Sequence, residues 1–314
     1  MKSSIAFEDQ LLLTDGGLET TLIYQYGIDL PHFAAFVLLK DEHGKQQLRQ
    51  YYERYLELAA KYKKGFILES PTWRASTDWA YKLGFSKTEL QALNIAAINE
   101  LKNLRRAYKD KIPSIVISGC VGPRGDGYSP GDKMNVAEAA TYHEPQIHAF
   151  QMVGVDLVTA MTITYREEAI GIVRAAQLQE LPVVISFTLE TDGKLPDGVS
   201  LRDAIQIVDD YTDGYPLHYM INCAHPSHFC DVLVSNDHWV KRIQGIRANA
   251  SRKSHEELDN SDHLDIGDKE ELARQYQALR TLLPQLKVVG GCCGTDHRHI
   301  ESICGVWEAE HKPA

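Results

Sequence analysis

Two adjacent cysteines near the C-terminal end of the chain are the residues whose types and spacing most directly suggest chemistry. Residues 288–295 have the sequence VVGGCCGT, which places Cys292 and Cys293 between glycines. This pattern predicts a strand, a tight turn that carries two thiols, and the start of a helix. A disulfide between neighbouring cysteines would be strained. Two thiols in one site suit a soft metal such as zinc, whereas free cysteines are otherwise small buried hydrophobes.

A third cysteine lies where it can join this pair. The predicted strand 217–221 is followed by the sequence NCAHP, in which Cys223 comes just after the strand end. If the strands are parallel, their C-terminal ends meet, and Cys223 can converge with Cys292 and Cys293. Three protein ligands with one open position are the pattern of catalytic zinc. A competing ligand set is local in sequence and consists of Cys223, His225, His228 and Cys230. That set leaves the adjacent pair unexplained.

The remaining cysteines and the C-terminal histidines are interpreted as structural residues. Cys120 follows the third predicted strand, where it can line a pocket, but we predict a buried structural thiol. Cys304 falls in the last predicted helix and is assigned to the core. His297 and His299 are two residues apart and would face different sides of that helix, so both are predicted to lie on the surface.

These residues must be positioned by eight short apolar runs, most of which precede a helical pattern. The runs are 11–14, 65–68, 114–118, 155–160, 182–187, 217–221, 240–246 and 286–289. Strands that alternate with helices pair in parallel, and eight of them predict a closed (β/α)8 TIM barrel. We therefore expect one domain over residues 1–314.

Local signals mark helix starts and long loops. Ser86, Asn135 and Thr164 are each followed three residues later by a glutamate, as in a capping box. Two loops are long, at 24–43 and 248–268. Long loops after barrel strands often carry substrate contacts. We nevertheless interpret the second one, which is polar, as a solvated surface excursion.

The composition limits the partners. A formal charge of −10 with no basic stripe argues against nucleic acid or an anionic membrane as the main partner, and favours small molecules. Six cysteines are too few for a disulfide scaffold, and the first residues lack the apolar core of a signal peptide. No apolar run is long enough to span a bilayer. These features predict a protein of the reducing cytoplasm. They do not determine the oligomeric state, and a homo-oligomer is possible.

Six short motifs, in this order over nearly the whole chain, resemble the homocysteine S-methyltransferase family. They are DGG at 15–17, GP at 122–123, SFT at 186–188, DGKL at 192–195, NC at 222–223 and GGCCGT at 290–295. In isolation the first of these is weak, because Asp-Gly is a common turn, although its glycines would let backbone N–H groups approach a carboxylate. The last motif, together with the upstream Asn-Cys, is specific.

The resemblance implies a zinc-dependent barrel that moves a methyl group from an onium or folate donor to the sulfur of homocysteine, giving methionine. It implies that the zinc ligands are Cys223, Cys292 and Cys293. It also implies that the residues in contact with the substrate are Asp15, Gly16, Gly17, Ser70 and Asn222. The chemistry agrees with this interpretation, because an alkyl thiol is only a few per cent ionised at neutral pH and coordination to zinc deprotonates it.

One departure from the family pattern concerns the acceptor. After the fourth strand the family usually has a glutamate that pairs with the substrate ammonium, whereas this chain has Met161. Either another carboxylate near a strand end, Glu69 or Glu190, takes this role, or the acceptor is a thiol without a free amine. A zinc-holding barrel that binds a thiol without transferring a methyl group is a further alternative. A redox role for the adjacent cysteines is disfavoured by the absence of C-x-x-C spacing.

The methyl donor is expected to be a sulfonium compound. The chain ends soon after the eighth predicted strand and its helix, so we expect no cobalamin or folate module and favour S-methylmethionine or S-adenosylmethionine. Arg74 disfavours an onium pocket at its own position, because it is itself a cation. Trp73, Tyr165 or Tyr24 could form part of an aromatic cage for a cation.

Overall fold

The centre of the molecule is a closed barrel of eight parallel strands. The computed structural model describes residues 10–233 and 237–309. Each strand is hydrogen-bonded to the next in sequence, and the eighth closes onto the first. The strands are β1 (Leu12–Leu13), β2 (Gly65–Glu69), β3 (Ile115–Val121), β4 (Leu157–Ile163), β5 (Val183–Phe187), β6 (Tyr219–Asn222), β7 (Ile243–Ala248) and β8 (Val288–Gly291). The predicted (β/α)8 barrel is confirmed.

Helices connect the strands and surround the barrel. They are α1 (Leu18–Thr20), α2 (Glu42–Lys61), α3 (Thr77–Lys82), α4 (Lys87–Tyr108), α5 (Val136–Val153), α6 (Arg166–Leu178), α7 (Leu201–Thr212), α8 (His238–Lys241), α9 (His255–Asp259), α10 (Lys269–Leu282) and α11 (His297–Ala309). Their apolar faces pack on the outside of the strands and form the main core. No helix in the described ranges is both long and apolar enough to cross a membrane.

The predicted helix starts are correct in two of three places. Ser86 and Asn135 each form a capping box at the start of α4 and α5. The start predicted at Thr164 is wrong, because β4 continues to Ile163 and the side chain of Thr164 is buried directly after it. Tyr165 therefore becomes the N-cap of α6, without a side-chain hydrogen bond to the helix.

The interior of the barrel changes from apolar to polar toward the C-terminal ends of the strands. One apolar layer is formed by Leu12, Ile67, Leu157, Val184, Met220 and Val288. Residues two positions further along a strand point to the same side. The residues two positions after those of the apolar layer are polar in β2, β4, β5 and β6, and Ser118 of β3 lies beside them. Above the apolar layer they form a polar one, which consists of Glu69, Ser118, Thr159, Ser186 and Asn222. The polar layer leads directly to the loops at the C-terminal end.

Both long loops contribute to this end of the barrel. The first contributes Tyr24 and Phe33 to the lining of a cavity, and the second contributes Leu258 and several polar residues. The second loop contains the short helix α9, which begins with the buried residue His255. The prediction of a solvated excursion is therefore wrong for part of this loop, because His255 is buried and its Nε2 atom lies 2.8 Å from the backbone oxygen of Cys223. Most of residues 256–268 are exposed, as predicted.

Candidate active site and metal centre

A cavity of about 230 Å³ opens at the C-terminal end of the barrel. Its wall includes all of the residues that the sequence analysis assigned to the zinc site or the substrate. They are Asp15, Gly16, Gly17, Ser70, Asn222, Cys223, Cys292 and Cys293. Parallel strands bring residues that are far apart in sequence to one end of a barrel, where active sites of this fold lie.

Three thiols meet in the wall of this cavity. We call Cys223, Cys292 and Cys293 the thiol cluster, and their sulfur atoms all lie within 4.8 Å of one another. The sulfurs of Cys223 and Cys293 are 3.6 Å apart. A tetrahedral zinc ion with Zn–S bonds of about 2.3 Å separates its sulfur ligands by about 3.8 Å. The cluster therefore has the composition and spacing of three ligands of one tetrahedral metal ion, and it faces open space.

The side chains of the competing ligand set, which begins at Cys223 and ends at Cys230, do not come together around one point. The Nδ1 atom of His225 is hydrogen-bonded to the side chain of Ser227 at 2.7 Å, and Nε2 of His228 lies 2.9 Å from the backbone oxygen of Arg252. In the described part of the chain, the thiol cluster is the one group of three or more cysteine, histidine or acidic side chains whose ligand atoms lie this close together.

The electrostatics of the thiol cluster favour a cation. Hydrogen bonds from the thiols of Cys223 and Cys293 lower the pKa of Cys292 well below its usual value, and the nearby guanidinium of Arg247 has the same effect. The hydrogen bonds that Cys223 makes with Cys292 and Cys293 raise its pKa well above the usual value. One negative charge is thus favoured within the cluster, and a divalent metal ion would favour further ionisation of its thiols.

The backbone of Cys223 is held in an unusual conformation. Its φ angle is +58°, in the left-handed region that non-glycine residues rarely adopt. Its carbonyl oxygen accepts hydrogen bonds from Nε2 of His255 at 2.8 Å, Nδ2 of Asn249 at 3.1 Å and Oγ1 of Thr188 at 3.4 Å. These three donors stabilise the turn that directs the sulfur toward the other two thiols.

Asn222 connects the ends of three strands to the thiol cluster. Its Oδ1 atom accepts hydrogen bonds from the backbone N–H of Thr162 at 2.9 Å and the hydroxyl of Ser186 at 2.6 Å. Its Nδ2 atom donates to Oγ1 of Thr162 at 2.8 Å and lies 3.8 Å from the sulfur of Cys292. The φ angle of Thr162 is +61°, so Asn222 also stabilises a strained backbone. The amide has no free hydrogen-bonding position and is built to position Cys292.

The loop after β1 packs directly against the loop that carries the adjacent cysteines. A Cβ atom at Gly17 would lie 2.7 Å from the backbone oxygen of Cys292, and one at Gly16 would lie 2.8 Å from that of Thr295. The backbone N–H of Gly17 donates to the oxygen of Thr295 at 3.0 Å. Only glycine allows this approach, so both glycines are required for the shape of the site.

A buried ion pair joins the ends of β1, β7 and β8. Nη2 of Arg247 is 2.7 Å from Oδ1 of Asp15, and Nε of Arg247 donates to the oxygen of Gly291 at 3.0 Å. The hydroxyl of Tyr51, from α2, donates to Oδ2 of Asp15 at 2.9 Å. Burial raises the pKa of Asp15, and Arg247 opposes this effect. Both carboxylate oxygens of Asp15 are thus engaged by the protein.

Tyr128 lies over the thiol cluster, although the sequence analysis did not single it out. Its hydroxyl is 3.5 Å from the sulfur of Cys223 and 3.6 Å from that of Cys293. Its ring stacks on His255 at a centroid distance of 4.0 Å. Tyr128 follows Gly127 in the long loop after β3, where the path of the backbone has no sequence signal beyond its glycines. A phenol above two thiols can donate a hydrogen bond to a thiolate.

The structure separates the two carboxylates proposed to replace the acid missing at Met161. Met161 is buried and lines the cavity. Glu69 also lines the cavity, is only 5% exposed, and burial raises its pKa to about 7. Glu190 is not part of the cavity wall, and its Oε1 atom is 3.0 Å from Nδ1 of His255. Glu69 is therefore the candidate acid inside the cavity.

Aromatic side chains surround the outer part of the cavity. Tyr24 and Trp73 line it, whereas Tyr165 does not, because its hydroxyl accepts a hydrogen bond from the backbone N–H of Met134 away from the cavity wall. The guanidinium of Arg74 lies 4.1 Å from the ring centroid of Trp73 and is paired with Asp126 at 3.3 Å. One face of the Trp73 ring is therefore already covered by the cationic guanidinium of Arg74.

Cys120, Cys304 and His299 are all buried. Cys304 is fully buried in the core, as predicted, and Cys120 is buried while also lining the cavity. The surface position predicted for His299 is wrong. It is 2% exposed, its Nδ1 atom contacts Asp296 and its Nε2 atom lies 2.9 Å from the oxygen of Ile266. His299 thereby ties the start of α11 to the loop over the barrel.

The fold and the site together define a (β/α)8-barrel enzyme whose cavity is built around clustered thiols. Over residues 12–306 the sequence matches the family described as homocysteine S-methyltransferase. The chain belongs to the homocysteine S-methyltransferase family, as the resemblance predicted, and is a methyltransferase of the EC 2.1.1 class.

Solved structures agree with this assignment at the level of the fold. The metallated form of the homocysteine methyltransferase MmuM from Escherichia coli is similar with a TM-score of 0.72 at 19% identity, covering 95% of this chain and 97% of that one. The oxidised form of the same protein gives a TM-score of 0.71 at 21% identity, covering 94% and 96%. A search of curated protein sequences finds no significant match.

Proposed function

We propose that the protein transfers a methyl group from a sulfonium donor, S-methylmethionine or S-adenosylmethionine, to the thiol of homocysteine and depends on zinc for this reaction. The product would be methionine, and the whole chain would act as one domain. The observation that carries this proposal is the thiol cluster at the wall of the cavity. The same acceptor is named for the E. coli protein of similar fold. Thiols that must stay reduced also fit the cytoplasm.

The residues present fit a zinc ion. Cys223, Cys292 and Cys293 would hold it, because three thiolates at tetrahedral spacing with an open fourth position suit zinc better than harder metals. When bound there, zinc would lower the pKa of the acceptor thiol so that it reacts as a thiolate. Asn222 and the carbonyl contacts of Cys223 orient the sulfurs. Asp15, Gly16, Gly17 and Ser70 would shape the substrate pocket together with Asn222.

The charges of the cavity favour a cationic donor. Six carboxylates line it, from Asp15, Glu19, Glu69, Asp126, Asp259 and Asp265. Only two arginines, Arg74 and Arg247, oppose them in this wall. S-Methylmethionine and S-adenosylmethionine both carry a net positive charge, whereas a folate donor carries glutamate carboxylates that this cavity would repel. Tyr24, Phe33 and Trp73 provide aromatic surface beside these acids.

The proposed transfer is a displacement at the methyl carbon. The acceptor thiol releases its proton to solvent, and its sulfur forms a bond to the methyl carbon as the donor carbon–sulfur bond breaks. The bonding electron pair stays on the donor sulfur, which becomes a neutral thioether. No base is needed at the methyl group, so the residues of the cavity contribute by aligning the two sulfurs and the carbon between them.

A thiol that lacks the amino group is the second candidate acceptor. It is favoured by one observation, which is that Met161 lies in the cavity at the position where the family usually has a glutamate. A methionine side chain cannot pair with an ammonium group.

A donor-by-acceptor assay tests the proposal. We expect the zinc-loaded protein to convert homocysteine to methionine with S-methylmethionine or S-adenosylmethionine, and to give no product above background with methyltetrahydrofolate or betaine. Removing the metal with a chelator should abolish turnover, and adding zinc should restore it. Mass spectrometry of the product measures each combination. Transfer by metal-free protein, or binding of thiols without transfer from any donor, would contradict the proposal.

A further inference from the structure

We propose that Glu69 recognises the ammonium group of an amino acid acceptor, so that recognition of the amine comes from the end of β2 and not from the end of β4. This inference rests on the proposed function, because it assumes that the acceptor bound at the thiol cluster is an amino acid. A single side chain would then determine whether the protein prefers acceptors with an amino group over acceptors without one.

The position of Glu69 is fixed by its surroundings. It is the last residue of β2 and points into the barrel, two positions after Ile67 of the apolar layer. The hydroxyl of Tyr52, from α2, donates to the backbone oxygen of Glu69 at 2.7 Å. Burial raises the pKa of its carboxyl, and the nearby hydroxyls of Ser118 and Thr159 oppose this effect. The side chain is therefore held at the inner end of the cavity, within the polar layer of the barrel.

One oxygen of this carboxylate has no protein partner. Oε2 of Glu69 is buried without a hydrogen bond to any described residue, in a side chain that is 95% shielded from solvent. The guanidinium of Arg247, whose charge opposes the effect of burial on the pKa of Glu69, donates its hydrogen bonds to Asp15, Gly16 and Gly291 instead. A buried polar atom without a partner is costly, and native proteins usually explain it by a ligand or a function. Here the residue that carries the atom lines the cavity.

The other carboxylates in the wall are engaged or lie further out. Asp15 uses both oxygens within the protein, and Asp126 pairs with Arg74. Asp265 accepts hydrogen bonds from the hydroxyl of Ser251 and a backbone N–H. Asp259 belongs to the loop over the barrel.

Glu19 is the remaining rival. It is half-buried at the start of α1, and burial raises its pKa to about 7, as it does for Glu69. It differs from Glu69 in being outside the barrel strands. A matched pair of substitutions therefore separates the two acids, because each removes one carboxyl group from the same cavity.

The test compares binding of two thioethers that differ only in the amine. Methionine and 4-(methylthio)butanoate both resemble the proposed product and have no thiol, so their binding does not depend on turnover. Calorimetry on the zinc-loaded protein should show that methionine binds on the order of 10- to 100-fold more tightly, as expected for a buried charge-assisted hydrogen bond. In Glu69→Gln this preference should fall to nearly equal affinity, while Glu19→Gln should keep it.

Loss of the preference in Glu19→Gln but not in Glu69→Gln would overturn the assignment, and so would a wild-type protein without any preference. If Glu69→Gln does not fold, as judged by circular dichroism, Glu69→Asp should show a reduced preference because its carboxylate is withdrawn by one methylene. An unchanged preference in that variant counts against the assignment. Turnover assays on the wild type are independent of this result, so a failed methyl transfer and a failed amine recognition are distinguishable.

Discussion

Replacing Cys292 by serine is expected to remove metal binding and methyl transfer together. Serine keeps the size of the side chain but lacks the thiolate, and the pair that remains, Cys223 and Cys293, offers only two ligands. Because the proposed metal would activate the acceptor thiol, its loss should lower the rate of transfer by at least about 1,000-fold. Metal content by mass spectrometry and turnover with homocysteine measure the two effects.

Cys230 provides a matched control for this substitution. It is a free, partly buried thiol that follows Cys223 by seven residues but does not belong to the thiol cluster. Cys230→Ser should bind metal and turn over at nearly the wild-type level. If a triple variant with serine at all three positions of the thiol cluster still turned over at the parent rate, the metal would have no part in the reaction.

Replacing Arg247 by methionine is expected to lower the free energy of unfolding more than any other substitution proposed for this protein. Arg247 is buried, is paired with Asp15 at 2.7 Å and donates to the oxygen of Gly291. Removing it would leave the Asp15 carboxylate buried without its cation, which costs about 3 to 5 kcal/mol of unfolding free energy. Chemical unfolding in guanidinium chloride, followed by circular dichroism, measures the change.

The surface pair between Lys61 and Glu301 is the control for Arg247. Its atoms approach to 2.6 Å, but both side chains are well exposed, so solvent screens the attraction. Lys61→Met should leave the unfolding midpoint unchanged. A loss in Arg247→Met no larger than that of Lys61→Met would show that the buried pair does not hold the strand ends together.

The barrel could be predicted from the sequence because its signals are local and repeated. Each strand is a short apolar run that ends in glycine or polar residues, and the chain alternates these runs with helical patterns. The eight observed strands lie at the predicted positions apart from their ends. The predicted start of β7 is three residues too early, because Trp239 and Val240 pack into the core from the short helix α8 and do not extend the strand.

The meeting of the three thiols could also be predicted, because it follows from the topology alone. The C-terminal ends of β6 and β8 must lie at one end of a parallel barrel, and Cys223, Cys292 and Cys293 come directly after them. The partners of these residues could not be predicted. Tyr128 and His255 reach the thiol cluster from loops whose paths depend on packing across the barrel.

Only part of the arrangement of charges in the cavity could be predicted from the sequence. The resemblance to the family indicates that Met161 stands where an acid is usual, and the sequence offers Glu69 and Glu190 as substitutes. Choosing between them needs the coordinates, because Glu69 points into the barrel whereas Glu190 is paired with His255 outside the cavity wall. The pairing of Asp15 with Arg247 joins residues that are 232 positions apart in sequence, and no local pattern indicates it.

X-ray absorption spectroscopy of the purified protein tests the central claim most directly. We expect one zinc ion per chain with three sulfur neighbours at about 2.3 Å, rising to four sulfurs when homocysteine is added. A protein that holds no zinc, or holds it through nitrogen and oxygen atoms without sulfur, would contradict the assignment of the thiol cluster as the metal centre.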